Sequence, residues 1–228
     1  MNSLEMTSEI REISNFDQVY LKVRHEAELI ITQGKKESLT INAPREMLER
    51  IKVTVEDGIL TISSGGKWYE KARDAVRTSI TRNVIKYNLS VKKLRHLEVG
   101  GLVHTIAPQI ETDNLWLQLS GAGSVNIGNL KTKNLEVALP GTGRITLIGT
   151  SLEQKVTVKG AGEYYAPKLE SKKVKLTMQG VGNATVWATE DLDVTIHGVG
   201  KVSYYGDPNV KSKISAVGTL NSLGTPKN

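Results

Sequence analysis

The chain has 228 residues, 39% of them hydrophobic and 5% aromatic, with a single Phe; it is long enough to bury a core but poor in large rings. It has no cysteine, which excludes disulfides, thiolate metal sites and thiol nucleophiles, and no apolar run near the roughly 20 residues of a membrane-spanning helix. The net charge of +6 is uneven: residues 1–64 carry 8 basic and 11 acidic groups, residues 65–95 carry 9 and 2, and residues 96–228 carry 13 and 11.

Residues 1–11 are polar, lack the apolar stretch and cleavage site of a signal peptide, and read as a flexible leader. The chain is therefore expected either to be cytoplasmic or to lack its targeting segment. Residues 12–64 alternate irregularly. Residues 27–32, Gly34 and residues 39–41 read as strand, turn, strand, and residues 51–55, Asp57-Gly58 and residues 59–62 repeat the pattern. Asp-Gly between alternating runs is also a hairpin signal, so this region is either two irregular first coils, the favoured reading, or a small antiparallel cap. Pro44 and residues 45–50 suit a short helical turn.

Residues 65–95 hold the concentrated positive charge, with Trp68, Tyr69 and Tyr87 among the Lys and Arg. The stretch reads as an insertion or hairpin leading into a region of regular repeats. A single basic segment argues for a local patch and against a nucleic-acid partner.

Residues 96–220 repeat. Gly-x-Gly stands at Gly121/Gly123, Gly141/Gly143, Gly160/Gly162, Gly180/Gly182 and Gly198/Gly200, with weaker copies ending at Gly101 and Gly218. Counted on the second glycines (Gly101, Gly123, Gly143, Gly162, Gly182, Gly200 and Gly218), the period is about 20 residues, that of a solenoid. Four residues before each glycine stand Leu97, Leu119, Leu139, Val158, Met178, Ile196 and Ile214; two after it stand Val103, Val125, Ile145, Tyr164, Ala184, Val202 and Leu220. The polar columns between them give a period of two, which is a strand signature. The glycines fall between two strands, where a sharp bend requires a residue tolerant of positive φ. One such coil cannot shelter its own apolar face; stacked coils shelter each other. The expected fold is an all-β, single-domain, right-handed parallel β-helix of about seven regular coils with irregular N-terminal coils, the hand following from the chirality of parallel crossovers. Residues 221–228 form a tail.

The repeated pattern of residues 117–125 resembles the putative auto-transporter adhesin, head GIN domain family. Residues 15–19, 56–62, 86–91 and 204–208 match that family too, so the resemblance covers about residues 12–220. It implies a β-helical, extracytoplasmic bacterial protein, in the periplasm or at the cell surface, whose biochemical role is not established.

The glycine pairs do not read as a phosphate loop, which opens a helix and usually occurs once. Polysaccharide lyases and hydrolases also use β-helices, so a carbohydrate-active enzyme is the alternative to a binding module. Its chemistry needs clustered carboxylates or a calcium site beside a base; Glu190, Asp191 and Asp193 are the nearest approach, and they read as a solvated corner. His25, His96, His104 and His197 lack metal-ligand spacing, and no catalytic, cofactor or metal residue is assigned. The candidate ligand-binding residues are Lys67, Trp68, Tyr69, Lys71, Arg73 and Arg77, chemically suited to an anionic glycan, lipid headgroups or, less readily, a nucleic acid, and the column Thr157, Thr177 and Thr195. The expected function is a non-enzymatic envelope or surface scaffold that binds a glycan or another envelope component. Open strand edges at the last coil make self-association through the ends a further expectation.

Overall fold

The computed structural model describes residues 5–64, 84–215 and 217–226. Its elements in chain order are β1 (Met6–Arg11), β2 (Gln18–Gln33), β3 (Ser38–Pro44), α1 (Arg45–Leu48), β4 (Ile51–Glu56), β5 (Ile59–Ser64), β6 (Ile85–Val91) and β7 (His96–Ala107). After these come β8 (Ile110–Leu119), β9 (Ser124–Leu139), β10 (Arg144–Val158), β11 (Glu163–Met178), β12 (Val181–Ile196), β13 (Val199–Tyr205), β14 (Asn209–Ile214) and β15 (Gly218–Ser222).

From β7 onward the strands pair in parallel with the strand one coil on, and the chain winds as a β-solenoid. On one side, successive rungs carry His96, Trp116, Glu136, Lys155, Lys175, Asp193 and Lys211. Seven rungs bound six turns of about 20 residues, one turn fewer than the number of glycine copies suggested. Each turn has three sides. In β9, Val125 and Ile127 point inward, then Leu130 and Thr132, then Leu135, Val137 and Leu139. Two adjacent exposed residues, Gly128-Asn129 and again Lys133-Asn134, break the alternation and mark two corners. The Gly-x-Gly unit is the third.

The inward residues form one continuous apolar column system along the axis. Polar side chains interrupt it at an in-register column of Thr132, Ser151 and Ser171 and at Gln154, where the Tyr164 hydroxyl donates to Gln154 Oε1 at 2.8 Å and Gln154 Nε2 donates to Ser171 Oγ. Buried polar groups are tolerable when partnered in this way.

Two expectations change. The first copy of the repeat is offset by two residues: Ala122 N donates to Gly101 O at 3.0 Å, and His104 pairs with Ser124. Gly101 therefore lies under Gly121, and Val103 lies under Gly123. Val99 rather than Leu97 shares the column of Leu119, and Thr105 rather than Val103 shares that of Val125. The apparent 22-residue first step disappears, because residues 102–103 carry no second glycine to mark the frame.

The reason for the glycines also differs. Among the seven counted, Gly101 has a clear left-handed φ, at 95°, while Gly123, Gly143, Gly162, Gly200 and Gly218 do not. What the corner demands is close approach. A Cβ on Gly121 would lie 1.8 Å from Gly101 O, and one on Gly160 would lie 1.9 Å from Gly141 O. At this corner the side-chain direction points along the axis into the carbonyl of the neighbouring coil.

The N-terminal region combines coils and cap. β2 pairs in parallel with β7 on one side, and with β5 and β6 end to end on the other. β5 and β6 thus form one interrupted coil flanking residues 65–83, and β2 lies between that coil and β7 although it precedes both in the chain. An antiparallel layer covers the outer coil: β4 on β5, β3 on β6, and β1 on β3. The β4–β5 hairpin turns at Asp57 (φ 50°) and Gly58 (φ 78°), the two positive values of a type I′ turn. At the other end, β14 and β15 pair on one side only among the described residues, and Val210, Ile214 and Leu223 are exposed.

Candidate functional site

Lys67, Trp68, Tyr69, Lys71, Arg73 and Arg77 lie outside the described residues. Thr157, Thr177 and Thr195 stand in register on β10, β11 and β12, half-buried and facing outward on the third side of the turn. Their column continues to Ala138 on one side and to Lys213 on the other, so the hydroxyl ladder spans three rungs.

Two residues earlier on the same strands lies a feature the sequence columns did not single out. A shallow open groove of about 950 Å³ runs along the third side, touching every rung from Gln18 to Lys211. Seven strand spacings of about 4.8 Å make it about 34 Å long. Leu115, Leu135, Val174 and Leu192 form its floor, each almost fully buried.

The two halves of the groove differ. Toward β2 it is lined by Gln18, Arg95, His96, Trp116, Asn114 and Asn134. The His96 ring lies 4.8 Å from that of Tyr20 and 4.0 Å from that of Trp116, both tilted. Burial among these rings lowers the pKa of His96, partly opposed by the charge of Glu98; Glu98 is itself paired with Lys22 at 3.1 Å. Arg95 is held by a bidentate ion pair with Asp17, at 2.5 and 2.9 Å. Asn134 Nδ2 donates to Asn114 Oδ1 at 2.8 Å, linking two rungs. Toward β14 the lining is charged but mixed: Lys155 pairs with Glu136 at 2.7 Å, Lys173 stands between Glu153 and Asp191 in register, and Lys175 stands beside Asp193.

Asp191 and Asp193 thus lie in adjacent outward columns, while Glu190 pairs with Lys172 at 3.0 Å. His104 and His197 each bond a serine one rung away, Ser124 at 3.0 Å and Ser215 at 2.7 Å. His25 lies between Ser64 Oγ (3.1 Å from Nδ1) and the Tyr87 hydroxyl (3.0 Å from Nε2), joining β2 to both halves of the interrupted coil. Burial lowers its pKa to about 4 and raises that of Tyr87, so the imidazole is a neutral clamp and a weak base. Among the described residues, no group of three or more His, Asp or Glu could hold a metal ion, and no helix is long and apolar enough to cross a membrane.

Compared with known proteins, residues 15–208 match the family described as putative auto-transporter adhesin, head GIN domain. The chain belongs to that family. Solved structures resemble this head GIN domain along almost its whole length. A protein from Bacteroides fragilis described as a putative adhesin is 25% identical, with a TM-score of 0.87 over 97% of this chain and 98% of that one. One from Parabacteroides distasonis described as a putative lipid binding protein is 22% identical, with a TM-score of 0.71 over 96% of each chain. A putative adhesin from Parabacteroides merdae is 19% identical, with a TM-score of 0.68 over 96% of each. No curated protein matches this chain at a significant level.

Proposed function

We propose that this chain is a non-enzymatic, adhesin-like binding module of the cell envelope, working outside the cytoplasm as a rigid rod whose third side is the binding wall. The observation that carries this reading is the register. Outward side chains recur at one strand spacing over successive rungs tied together by backbone hydrogen bonds. Such a wall is preorganised and loses little entropy on binding. It suits a ligand with a repeat of its own, and a glycan is the envelope polymer that fits. Thr157, Thr177 and Thr195 offer hydroxyls on three rungs beside the groove. Lys67, Trp68, Tyr69, Lys71, Arg73 and Arg77 supply a second, salt-sensitive contact. The uncovered last coil is the end through which copies would stack, against the like-charge cost of Lys211 and Lys213 at its edge. The family membership and the names of the solved neighbours support binding over catalysis.

The test is retention of the protein on separated envelope fractions: polysaccharide, peptidoglycan, lipid vesicles and protein. Binding to a glycan fraction that leaves the polysaccharide chain length unchanged is the expected result. Binding to none of the fractions would refute the module, and shortened chains would replace it with the carbohydrate-active enzyme.

A further inference from the structure

We infer that the β2-proximal half of the groove is a subsite for an extended, uncharged polysaccharide, read by a platform of Tyr20, His96 and Trp116 and an amide pair, Asn114 and Asn134. This deepens the envelope-binding reading and rests on it.

His96 and Trp116 line the groove and Tyr20 stands beside it, with Lys22 Nζ, paired to Glu98, 5.5 Å from the Tyr20 ring centroid. The three rings touch at 4.0 and 4.8 Å between centroids, and each residue is half-buried, so the cluster packs on the wall and still meets solvent. Burial favours the neutral imidazole of His96, and the nearby carboxylates are each paired: Glu98 with Lys22, Asp17 with Arg95 and Glu136 with Lys155. A pyranose ring presents axial C–H groups that pack on such a surface, as apolar groups do on aromatic faces.

The amides supply direction. Asn134 Nδ2 donates to Asn114 Oδ1, and this bond fixes both side chains. The Asn114 amide N–H groups and the Asn134 Oδ1 are left, on exposed residues, without a protein partner among the described residues. One donor and one acceptor on neighbouring rungs complement a pair of vicinal hydroxyls. Leu115 and Leu135, 2% exposed each, close the floor beneath them.

Spacing and charge select the polymer. Rungs repeat at about 4.8 Å, close to the length of one pyranose unit in an extended chain, so successive sugars meet successive rungs. The charged half offers alternating signs, with Lys155 bound to Glu136 and Lys173 between Glu153 and Asp191. A polyanion needs a field of one sign, and this groove does not present one.

Native gels containing soluble β-glucan, α-mannan or xylan, run at low and high salt, test the subsite. The expected result is that at least one of these polymers retards the wild-type protein equally at both salt concentrations. Trp116→Ala and the double variant Asn114→Ala/Asn134→Ala should each weaken the affinity by about tenfold or more, equivalent to about 1.4 kcal/mol, with an unchanged circular dichroism spectrum. Should Trp116→Ala fail to fold, the double asparagine variant decides. If both folded variants are retarded as strongly as wild type, the subsite is wrong while the envelope-binding reading stands. Retardation that vanishes in high salt and depends on Lys155, Lys173 and Lys175 would mean a polyanion site and also overturns the subsite. If none of the three polymers retards the wild type the subsite falls, and the broader reading falls with it only if the envelope fractions also fail to bind.

Discussion

Replacing Gly160 with Ala tests why the corner glycines are there. The new Cβ would stand 1.9 Å from Gly141 O and 2.5 Å from Pro140 O, both backbone atoms of the coil beneath. Normal contact needs well over 3 Å, so the two coils must part by about 1 Å at this corner. Three hydrogen bonds converge there: Lys159 N and Gly160 N on Leu139 O at 3.0 and 3.1 Å, and Val181 N on Gly160 O at 3.0 Å. A 1 Å displacement forfeits most of their value, about 1 kcal/mol each. Overpacking strain adds about 1–3 kcal/mol. The expected loss is about 3–6 kcal/mol, read as a lowered urea midpoint by circular dichroism, with hydrogen-exchange protection lost first in the coils on either side. Gly34→Ala is the control. Its nearest neighbour would be Ser90 Oγ at 3.9 Å, so its effect should stay within about 1 kcal/mol. If the two variants shift the midpoint equally, coil-to-coil approach is not the constraint.

Thr105 is fully buried in the column of Val125, and its hydroxyl has no hydrogen-bond partner among the described residues. Thr105→Val should therefore raise stability by about 1–2 kcal/mol; a lower melting temperature would show that the hydroxyl is satisfied. His25 ordinarily titrates near 6.5 and in the fold near 4. The unfolded chain therefore binds the extra proton first. The stability that His25 gives is complete above about pH 6.5 and is lost as pH falls toward 4, by about 3 kcal/mol in all. His25→Gln should flatten that part of the pH profile, and a wild-type urea midpoint that does not move between pH 7 and pH 4.5 would contradict the assignment.

The period of two within a period of about 20 was enough to read the solenoid, because each inward column repeats an apolar residue at fixed spacing. The N-terminal stacking order was not readable. β2 pairs with strands that come some 40 and 80 residues later, and alternation says which face is buried without saying which neighbour covers it. The His96–Trp116 column of the groove was hidden by the offset at Gly101. Counted back seven residues from Gly123, the column gives Trp116; counted back seven from Gly101 it gives Leu94, a core residue, whereas the true rung partner is His96. With the frame anchored on Val103, His96 over Trp116 stands out as an outward column; Asn114 and Asn134, each nine residues before Gly123 and Gly143, are in register without that shift. The type I′ hairpin at Asp57-Gly58 was visible because its signal is local.

The threading of β2 between two later strands fixes the order of events at birth. Its companions on one flank end at residue 91 and on the other at residue 107, so the first long strand to leave the ribosome must wait, edges bare, until nearly half the polypeptide has been made. Whole turns can be gained or lost in the uniform middle without rewiring anything, whereas the beginning tolerates no such edit, because β2, β3 and β6 are each wedged between strands that are not their neighbours in the chain.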